Sequence, residues 1–391
     1  MRAIVHIGAP KTGSSSIQAF LKMNGKKLRR RGFLNGLDSN TRKSHVDVPI
    51  AALARIGRLP QSGDSRVRYG APDLATAKTV NDKVTADLAA FADLHPNKTL
   101  ILTAEHMLPW LKDEAAVKSL DGLLSAHFDA ITYVLYLRSP VGLILSAFSE
   151  RIKRGLSVGQ DDFIKQRLAN IDQFADVSRW VNAVGPDRFQ PRLLESNFLT
   201  DGDLIADFAG ICGIKLNGLD IPERMNESLT AEAVEVLTIF NQRVPQIVDV
   251  ATVNPMNRGV MKRIMKHPKS KTPIRLTAGQ MAEIATATAK SSELLRAAYF
   301  PDRTSLYAAP SQPGPEEDRV GILERAVEIA VDLVIDVRSG VWGSLDEDDQ
   351  ALATVFQSDD DPDADPPERA KRKKHQPEGR AKAATELDPQ T

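Results

Sequence analysis

The stretch AIVHIGAPKTGSSSIQAFL, residues 3–21, decides the fold. Its first part is a short apolar run, rich in β-branched residues and ending at Gly8, which predicts a buried strand. Its last part places Ile17, Phe20 and Leu21 at the spacing of one helical face, which predicts a helix. The order strand, glycine loop, helix is typical of a phosphate-binding loop in an α/β protein.

The lysine of this loop is out of place for a nucleotide loop. In the pattern G-x-x-x-x-G-K-S/T the lysine follows the second glycine, whereas here Gly8 and Gly13 have the right separation but Ser14 takes the lysine's position. The lysine is Lys11, inside the loop. Backbone N–H groups and the positive end of the helix dipole still favour an anion here, and Lys11 adds a mobile charge.

The composition of the 391 residues fits one or two α/β domains. It indicates no nucleic-acid partner, because 51 basic residues balance 51 acidic ones. The single cysteine, Cys212, lies in an apolar stretch, so we expect a buried structural thiol and no internal disulfide. With no disulfide framework we expect a cytoplasmic protein. We recognise neither a secretory leader nor an apolar run long enough to span a bilayer, and expect no transmembrane segment.

Further apolar runs predict the rest of a parallel sheet. The stretches 98–105 and 131–140 each contain a continuous apolar and β-branched run, as in strands buried on both faces, and 187–196 is a weaker run. Helical stretches alternate with these runs, which predicts a doubly wound α/β fold in three layers with additional C-terminal helices. The main helical stretches are 48–57, 72–94, 141–155, 163–184, 203–214, 230–243, 277–298 and 316–345.

The chain is predicted to have three parts. Residues 1–307 form the α/β domain, 308–345 a helical extension, and 346–391 a charged tail. The tail is poor in apolar residues and rich in proline and charge, which predicts disorder and a segment available to an unidentified partner. Within the first part, the basic insert 257–273 is interpreted as a mobile cover.

A second anion motif follows the run that ends at Leu137. Arg138 comes next, Pro140 predicts a helix start, and Ser146 lies about two turns inside that helix, roughly on the arginine's side. Arginine offers a planar fork for phosphate oxygens and serine adds a hydroxyl donor. An arginine at a strand end is by itself most often a surface ion-pair partner, and serines at a helix start are most often caps. The two motifs together indicate two phosphate sites.

The stretch PKTGSSS, with LRSP followed by Ser146, resembles the cytosolic and Golgi-type sulfotransferases that use 3′-phosphoadenosine 5′-phosphosulfate (PAPS). The stretches ILTAEH, RMNESLTAEAVEVL and LLRAAYFPDRTSLY are similar to bacterial members, so the resemblance covers residues 1–307. It implies the P-loop-type sulfotransferase fold and transfer of a sulfuryl group from PAPS to an acceptor hydroxyl, with no metal required. One departure is the serine run, where the family commonly has threonine.

Carried over position by position, the resemblance implies two donor-binding sites. Arg138 and Ser146 hold the 3′-phosphate of PAPS. Lys11 aids departure of the leaving phosphate. The whole 5′-phosphosulfate site consists of Lys11, Thr12, Gly13, Ser14 and Ser15.

Two residues are candidates for the base that takes the acceptor's proton. His45 lies in the segment after the first helix, where bacterial relatives often carry a histidine, and a histidine with an ordinary pKa accepts a proton near neutral pH. Glu105, with His106 beside it, ends a predicted strand at the sheet edge where doubly wound folds bind ligands. We place His45 ahead of Glu105. His6, inside the first strand, is expected to be a packed core residue.

Two other functions stay open on sequence alone. A P-loop nucleotide kinase or NTPase shares the broad fold, although no lysine follows Gly13 and the strand that ends at Leu137 is followed by Arg138 rather than by an acidic residue that could hold Mg²⁺. The second is a non-catalytic sulfotransferase-like scaffold. The presence of Lys11, Arg138 and Ser146 argues against it, because a scaffold does not need them. The favoured acceptor is a carbohydrate hydroxyl, because aromatic residues make up only 5% of the chain, which mildly disfavours a phenol-stacking pocket.

Overall fold

The computed structural model describes residues 1–37, 44–155, 157–222, 228–243, 247–249, 252–253, 255–309 and 319–338. Over these ranges the chain is an α/β protein whose central element is a five-stranded parallel sheet. The α/β fold expected from the sequence is therefore confirmed. The tail predicted at 346–391 lies outside the described residues.

The sheet strands are β1 (Arg2–Ile7), β2 (Phe33–Asn35), β3 (Thr99–Ala104), β4 (Ala130–Leu137) and β5 (Phe189–Leu193). Their order is β2-β3-β1-β4-β5, and each neighbouring pair is parallel. β1 is central: its His6 is paired with Thr103 on one side and Val134 on the other. β6 (Ile247–Asp249) and β7 (Thr252–Val253) form a separate antiparallel pair.

Helices fill the connections between the strands, and none within the described ranges combines the length and apolarity needed to span a bilayer. The helices are α1 (Ser14–Met23), α2 (Gly25–Arg30), α3 (Asp47–Arg55), α4 (Gly63–Arg68), α5 (Leu74–Leu94), α6 (Met107–Trp110), α7 (Glu114–Ser125), α8 (Pro140–Lys153), α9 (Gln160–Leu168), α10 (Gln173–Val184), α11 (Leu204–Cys212), α12 (Ala231–Arg243), α13 (Pro255–Lys266), α14 (Ala278–Tyr299) and α15 (Arg319–Arg338).

Side-chain caps fix where several of these helices begin. Asp73 accepts a hydrogen bond from the backbone N–H of Thr76 at 2.8 Å and starts α5. Thr277 and Gln280 form a reciprocal capping box at the start of α14. Such caps satisfy N–H groups that have no partner inside the helix. These polar residues therefore set where α5 and α14 begin.

Both faces of the sheet are covered. Ala3, Val5 and Ile7 of β1 lie in one hydrophobic cluster, which also contains buried residues of α3, α5, α7 and α10. Ile4 points the other way, into a cluster with Phe20 of α1 and Phe208 of α11. Because successive side chains of a strand alternate in direction, this division puts helices on both sides of the sheet. The predicted doubly wound arrangement follows.

Three local expectations differ from the structure. The short strand β2 lies in the segment around 29–68 that was interpreted as loops with one helix. The stretch 163–184 is two helices, α9 and α10, rather than one. The basic insert interpreted as a cover contains most of α13, in which Val260 and Ile264 are buried in a cluster shared with α12 and α15.

The strand order creates a crevice between β1 and β4. From β1 the chain passes to the β2 side of the sheet, whereas from β4 it passes to β5 on the other side. In open α/β sheets, ligands bind outside the carboxyl ends of strands at such a reversal. The loop after β1 and the turn after β4 meet at this point.

Candidate functional site

The loop between β1 and α1, residues 8–13, has an unusual backbone. Lys11 has φ 66° and Gly13 has φ 84°, both in the left-handed region. Glycine adopts this conformation without strain, whereas lysine does so only when the surroundings impose it. Left-handed residues in a tight turn gather successive N–H groups into a concave surface that suits an anion. The backbone of residues 8–13 therefore has the kind of turn that suits an anion.

Hydroxyl groups close this loop on itself. Thr12 and Ser14 are buried, and both hydroxyls donate to the carbonyl of Ala9, at 2.7 and 3.2 Å. The N-cap of α1 is Gly13, which has no side chain to occupy the first-turn N–H groups. The hydroxyl protons of Thr12 and Ser14 are thus already used, so the donors left for an anion at these residues are backbone N–H groups. Ser15, in the first turn of α1, is half-buried.

Lys11 is held by a carboxylate on α8. Its Nζ lies 2.9 Å from Oε2 of Glu150, and both side chains are partly exposed. Glu150 also accepts a hydrogen bond from Nε of Arg154 at 2.8 Å. Burial opposes ionisation of Glu150, but the charges of Lys11 and Arg154 outweigh it and lower the pKa of Glu150 to about 2. The carboxylate is thus ionised and bridges two cations.

Arg138, the first residue after β4, reaches the same loop. Its Nη1 donates to the carbonyl of Lys11 at 3.2 Å. A Cβ placed on Gly142 would lie 2.9 Å from Nε of Arg138, so the guanidinium group crosses the first turn of α8. Ser139 caps that helix by accepting a hydrogen bond from Gly142 N–H at 3.2 Å. Burial lowers the pKa of Arg138, which shows that its charge is partly removed from water.

One face of α8 runs along this site. Gly142, Ser146 and Glu150 are spaced by four residues, and residues four apart lie on the same side of a helix. Gly142 contacts Arg138 and Glu150 contacts Lys11, so the half-buried Ser146 occupies the turn between them. The expected 3′ residues and the expected loop lysine are therefore on one side of α8.

A buried relay from the C-terminal part of the domain supports Arg138. Tyr307 donates its hydroxyl proton to Oε1 of Gln173 at 2.7 Å, and Gln173 Nε2 donates to the carbonyl of Arg138 at 2.9 Å. Burial raises the pKa of Tyr307, so its hydroxyl stays a donor. The relay fixes the carbonyl of Arg138 and hence the direction in which its side chain leaves the strand.

Glu105 lies directly against the loop. It follows β3, and a Cβ on Gly8 would be only 2.6 Å from the Cα of Glu105. Gly8 N–H also donates to the carbonyl of Ala104 at 3.1 Å. Burial of Arg154 lowers its pKa, but the charge of Glu150, and more weakly that of Glu105, outweighs this and raises the pKa of Arg154 above its usual value. Glu105 therefore belongs to the group of charges around Lys11.

His45 occupies a different position from the expected entry segment. It is buried at the edge of the sheet. Its ring Nδ1 accepts a hydrogen bond from the backbone N–H of Thr103 at 2.8 Å, and its backbone N–H donates to the carbonyl of Thr103 at 2.9 Å. Nε2 faces Gly36, where a Cβ would lie 2.1 Å away. Burial lowers the pKa of His45 to about 4, against the effect of the Thr103 bond. β2 pairs with β3 only as far as Ile101, and two residues further on His45 takes the place of a neighbouring strand by binding Thr103.

His106, next to Glu105, belongs to an aromatic cluster. Its ring centroid lies 4.7 Å from that of Tyr69 and 4.4 Å from that of Trp110. Burial, with smaller effects of the charges of Arg68 and Arg154, lowers the pKa of His106 to about 4. Its Nδ1 is buried and has no hydrogen-bond partner among the described residues. The ring is therefore neutral and close to the Glu150–Arg154 pair.

His6 is the packed core residue expected from the sequence. It is fully buried in β1, with Nδ1 2.8 Å from the Thr103 hydroxyl and its ring edge-on to Tyr136 and Phe208. Burial lowers the pKa of His6 to about 3.

The structure thus brings the loop, the turn after β4 and Glu105 together, and it places His45 in the sheet edge. Sequence reasoning missed Glu150, Arg154, Gln173 and the role of Tyr307. The spacing Ser146, Glu150, Arg154 was a usable signal, because it repeats every four residues on the predicted helix. Gln173 gave none, since its partner is a backbone carbonyl remote in sequence.

No protein-family model matches the chain, and no curated protein matches it. Among solved structures, a sulfotransferase from Alicyclobacillus acidocaldarius matches with TM-score 0.38 and 14% identity, over 76% of this chain and 95% of that one. The sulfotransferase domain of the curacin biosynthetic pathway matches with TM-score 0.33 and 10% identity, over 74% of this chain and 97% of that domain. The sulfotransferase domain of the Synechococcus PCC 7002 olefin synthase matches with TM-score 0.30 and 14% identity, over 74% of this chain and 94% of that domain.

These three neighbours are sulfotransferases, the class that the sequence motifs resemble. At TM-scores below 0.5 and identities of 10–14% the likeness carries no argument about activity. The fold and the site by themselves define an α/β protein with a left-handed, lysine-containing loop at the reversal of its strand order. We infer its function from that site.

Proposed function

We propose that the chain is a PAPS-dependent sulfotransferase, which moves a sulfuryl group from PAPS to an acceptor hydroxyl. The observation that carries the proposal is the 3.2 Å hydrogen bond from Arg138 to the carbonyl of Lys11. It joins two cationic groups, each next to a helix N-terminus, at the crevice between β1 and β4. A ligand with two separate anionic ends, such as a nucleoside with 3′- and 5′-substituents, suits such a pair of sites.

The two ends of the donor are assigned to the two motifs. We place the 5′-phosphosulfate in the left-handed loop, against Lys11, Thr12, Gly13, Ser14 and Ser15, whose backbone faces the start of α1. We place the 3′-phosphate at Arg138 and Ser146, on the exposed side of α8's first two turns. Arg138 has one Nη on the Lys11 carbonyl, which leaves the rest of its fork for phosphate oxygens.

Lys11 is proposed to act on the leaving group. As the acceptor oxygen bonds to sulfur, the bond from sulfur to the bridging oxygen breaks, and its electron pair stays on the phosphate of adenosine 3′,5′-bisphosphate. An ammonium group beside that oxygen stabilises the developing charge. In the structure Lys11 is paired with Glu150 at 2.9 Å, so Glu150 sets where the ammonium group rests before the donor arrives.

For the base we propose Glu105 ahead of His45, which reverses the order placed from the sequence. Glu105 lies against the loop through Gly8, whereas Nδ1 of His45 accepts the Thr103 N–H and Nε2 faces Gly36. A base needs a free lone pair within reach of the acceptor's proton. His45 has none that is directed to the loop.

The acceptor is proposed to be a carbohydrate hydroxyl. The half-buried Tyr69 and Trp110 lie around His106, adjacent to Glu105, and amphipathic rings of this kind suit a ligand with alternating apolar and hydroxylated faces. Aromatic side chains are therefore concentrated near Glu105, although they are few in the chain as a whole. We propose that the reaction takes place in the cytoplasm, as expected from the lone buried cysteine.

Ligand-dependent thermal unfolding tests the proposal. A ligand that binds only the folded chain stabilises it by about 2.7 kcal/mol at a concentration 100 times its Kd. We expect adenosine 3′,5′-bisphosphate to raise the Tm strongly, adenosine 5′-monophosphate weakly, and ATP with Mg²⁺ not at all. Stabilisation by ATP with Mg²⁺ alone would indicate the nucleotide kinase or NTPase, and no stabilisation by any of the three would indicate a scaffold.

Transfer itself is measured with sulfur-labelled PAPS. Carbohydrate and phenol acceptors are compared in parallel, each with the wild type and with Lys11→Ala as a matched inactive control. Label appearing on a phenol and on no carbohydrate would overturn the acceptor class while leaving the donor assignment in place.

A further inference from the structure

The outer face of α15 is apolar and exposed. Val320, Leu323, Val327, Val331, Val334 and Ile335 are each between 40% and 63% exposed. Six such residues on one 20-residue helix, about 30 Å long, form a continuous stripe rather than scattered surface residues. Exposed stripes of this kind are a mark of an interaction surface.

The inner face of the same helix is already occupied. Ala326 and Ile329 are buried, and Ile329 belongs to a cluster that includes Ile144 and Phe148 of α8. Ion pairs from α12, from α13 and from the segment after it surround this contact. They are Arg325–Glu232 at 2.8 Å, His267–Asp332 at 3.2 Å, Lys269–Glu328 at 3.3 Å and Arg263–Asp336 at 3.5 Å.

These contacts fix the rotation of α15 about its axis. Glu232 is fully buried, so its pair with Arg325 is costly to break, because the buried carboxylate would lose its partner of opposite charge. The helix therefore cannot turn its apolar stripe toward its own domain. What covers the stripe must come from outside the described part of the chain.

We propose that this stripe pairs with the same stripe of a second copy of the chain, as a short parallel coiled coil. Val320, Val327 and Val334 are seven residues apart, and Leu323 and Ala330 stand three residues after the first two of them. These are the a and d positions of a heptad repeat. β-branched residues at a with leucine at d favour two parallel strands, and Ala330 at d allows close approach of the helices.

Charges at the edges of the stripe agree with a parallel pair in register. Arg319 stands just before the a residue Val320, and Glu324 just after the d residue Leu323. Both are exposed, and they take the g and e positions that face each other between helices. In the parallel arrangement, Arg319 of each copy is therefore opposite Glu324 of the other. This inference does not depend on the proposed sulfuryl transfer.

The full-length chain is well suited to a cross-linking test. Its one cysteine, Cys212, is buried, and burial raises the pKa of that thiol, so it does not react under mild oxidation. In Val327→Cys, the two introduced thiols meet across the pair and form a disulfide with oxidised glutathione as oxidant. Val67→Cys, on α4 and similarly exposed, is the matched control and stays monomeric on a non-reducing gel.

The oligomeric state gives an independent measurement. Sedimentation analysis of the wild type is expected to give twice the chain mass, and the double variant Val327→Asp, Val334→Asp to give the chain mass while it remains folded. Val67→Asp is expected to remain a dimer. A monomeric wild type would overturn the proposal and point to the chain's own residues 339–391 as the cover. A dimer that resists the double substitution, or that yields no Val327→Cys cross-link, would also overturn it.

Discussion

Replacing Arg138 with alanine should separate the two ends of the donor. Within the described part of the chain, the guanidinium group makes one hydrogen bond, to the carbonyl of Lys11 at 3.2 Å, and it is proposed to make further contacts with the 3′-phosphate. Arg138→Ala removes both kinds of contact. Only the second kind depends on whether the ligand carries a 3′-phosphate, so two ligands that differ in this group measure the two effects separately.

The size of each effect follows from the contacts. A hydrogen bond to a neutral carbonyl contributes about 1 kcal/mol, so loosening the loop should weaken any 5′-ligand by roughly fivefold. Hydrogen bonds to a charged group contribute about 1.5–3 kcal/mol, which adds roughly 10- to 150-fold for adenosine 3′,5′-bisphosphate only. Because Arg138 is partly buried and burial lowers its pKa, we expect the upper half of that range.

Isothermal titration calorimetry with adenosine 3′,5′-bisphosphate and adenosine 5′-monophosphate provides the assay. Arg138→Lys keeps the charge but loses the fork, and should fall between alanine and the wild type. Arg58→Ala is the surface control, since Arg58 pairs with Asp113 away from the loop. Equal losses of affinity for the two ligands in Arg138→Ala would refute the assignment and leave Arg138 as a support of the loop alone.

Three further results are expected. Lys11→Ala should lower kcat by more than it raises the Kd of the donor, because its charge acts on the leaving oxygen; a rise in Kd with unchanged kcat would make Lys11 a simple anchor. Glu105→Gln should lower kcat by about 10²–10⁴, whereas His45→Ala should mainly lower stability; rate measurements showing the opposite ranking would return the base to His45. Acid should destabilise the fold: His6, His45 and His106 have pKa values lowered to about 3, 4 and 4, so below their usual 6.5 the unfolded chain binds more protons, and stability falls from about pH 6.5 toward pH 4 by up to about 4 kcal/mol per unit. Equal urea midpoints at pH 7 and pH 5 would contradict this.

Much of the fold was readable because the central strands are buried on both faces. β1, β3 and β4 appear in the sequence as unbroken apolar runs, a pattern that a parallel sheet requires. β2 has only three residues, too few to show any periodicity, and lies in a polar segment. The lateral order of the strands depends on where each crossover packs, and no local pattern records that.

The candidate site could be proposed from the sequence to the extent that its parts are contiguous there. Lys11 and Gly13 belong to one loop, and Arg138 and Ser146 to one strand–helix turn. Glu150 was missed because its partner, Lys11, lies on a different element. His45 was ranked as a base from its place in the chain, but a ring that accepts Thr103 N–H inside a sheet edge is indistinguishable, in sequence, from one exposed in a loop.

The contact between Gly8 and Glu105 has a consequence for the order in which two substrates bind. No side chain lies between the two backbones, and Gly8 N–H is tied to the carbonyl of Ala104 at 3.1 Å. A tightly packed contact passes a displacement on rather than absorbing it. Under the proposed function, an anion that seats in the loop and shifts residue 8 is expected to shift the backbone of Glu105 as well. We therefore expect the donor to bind before the acceptor.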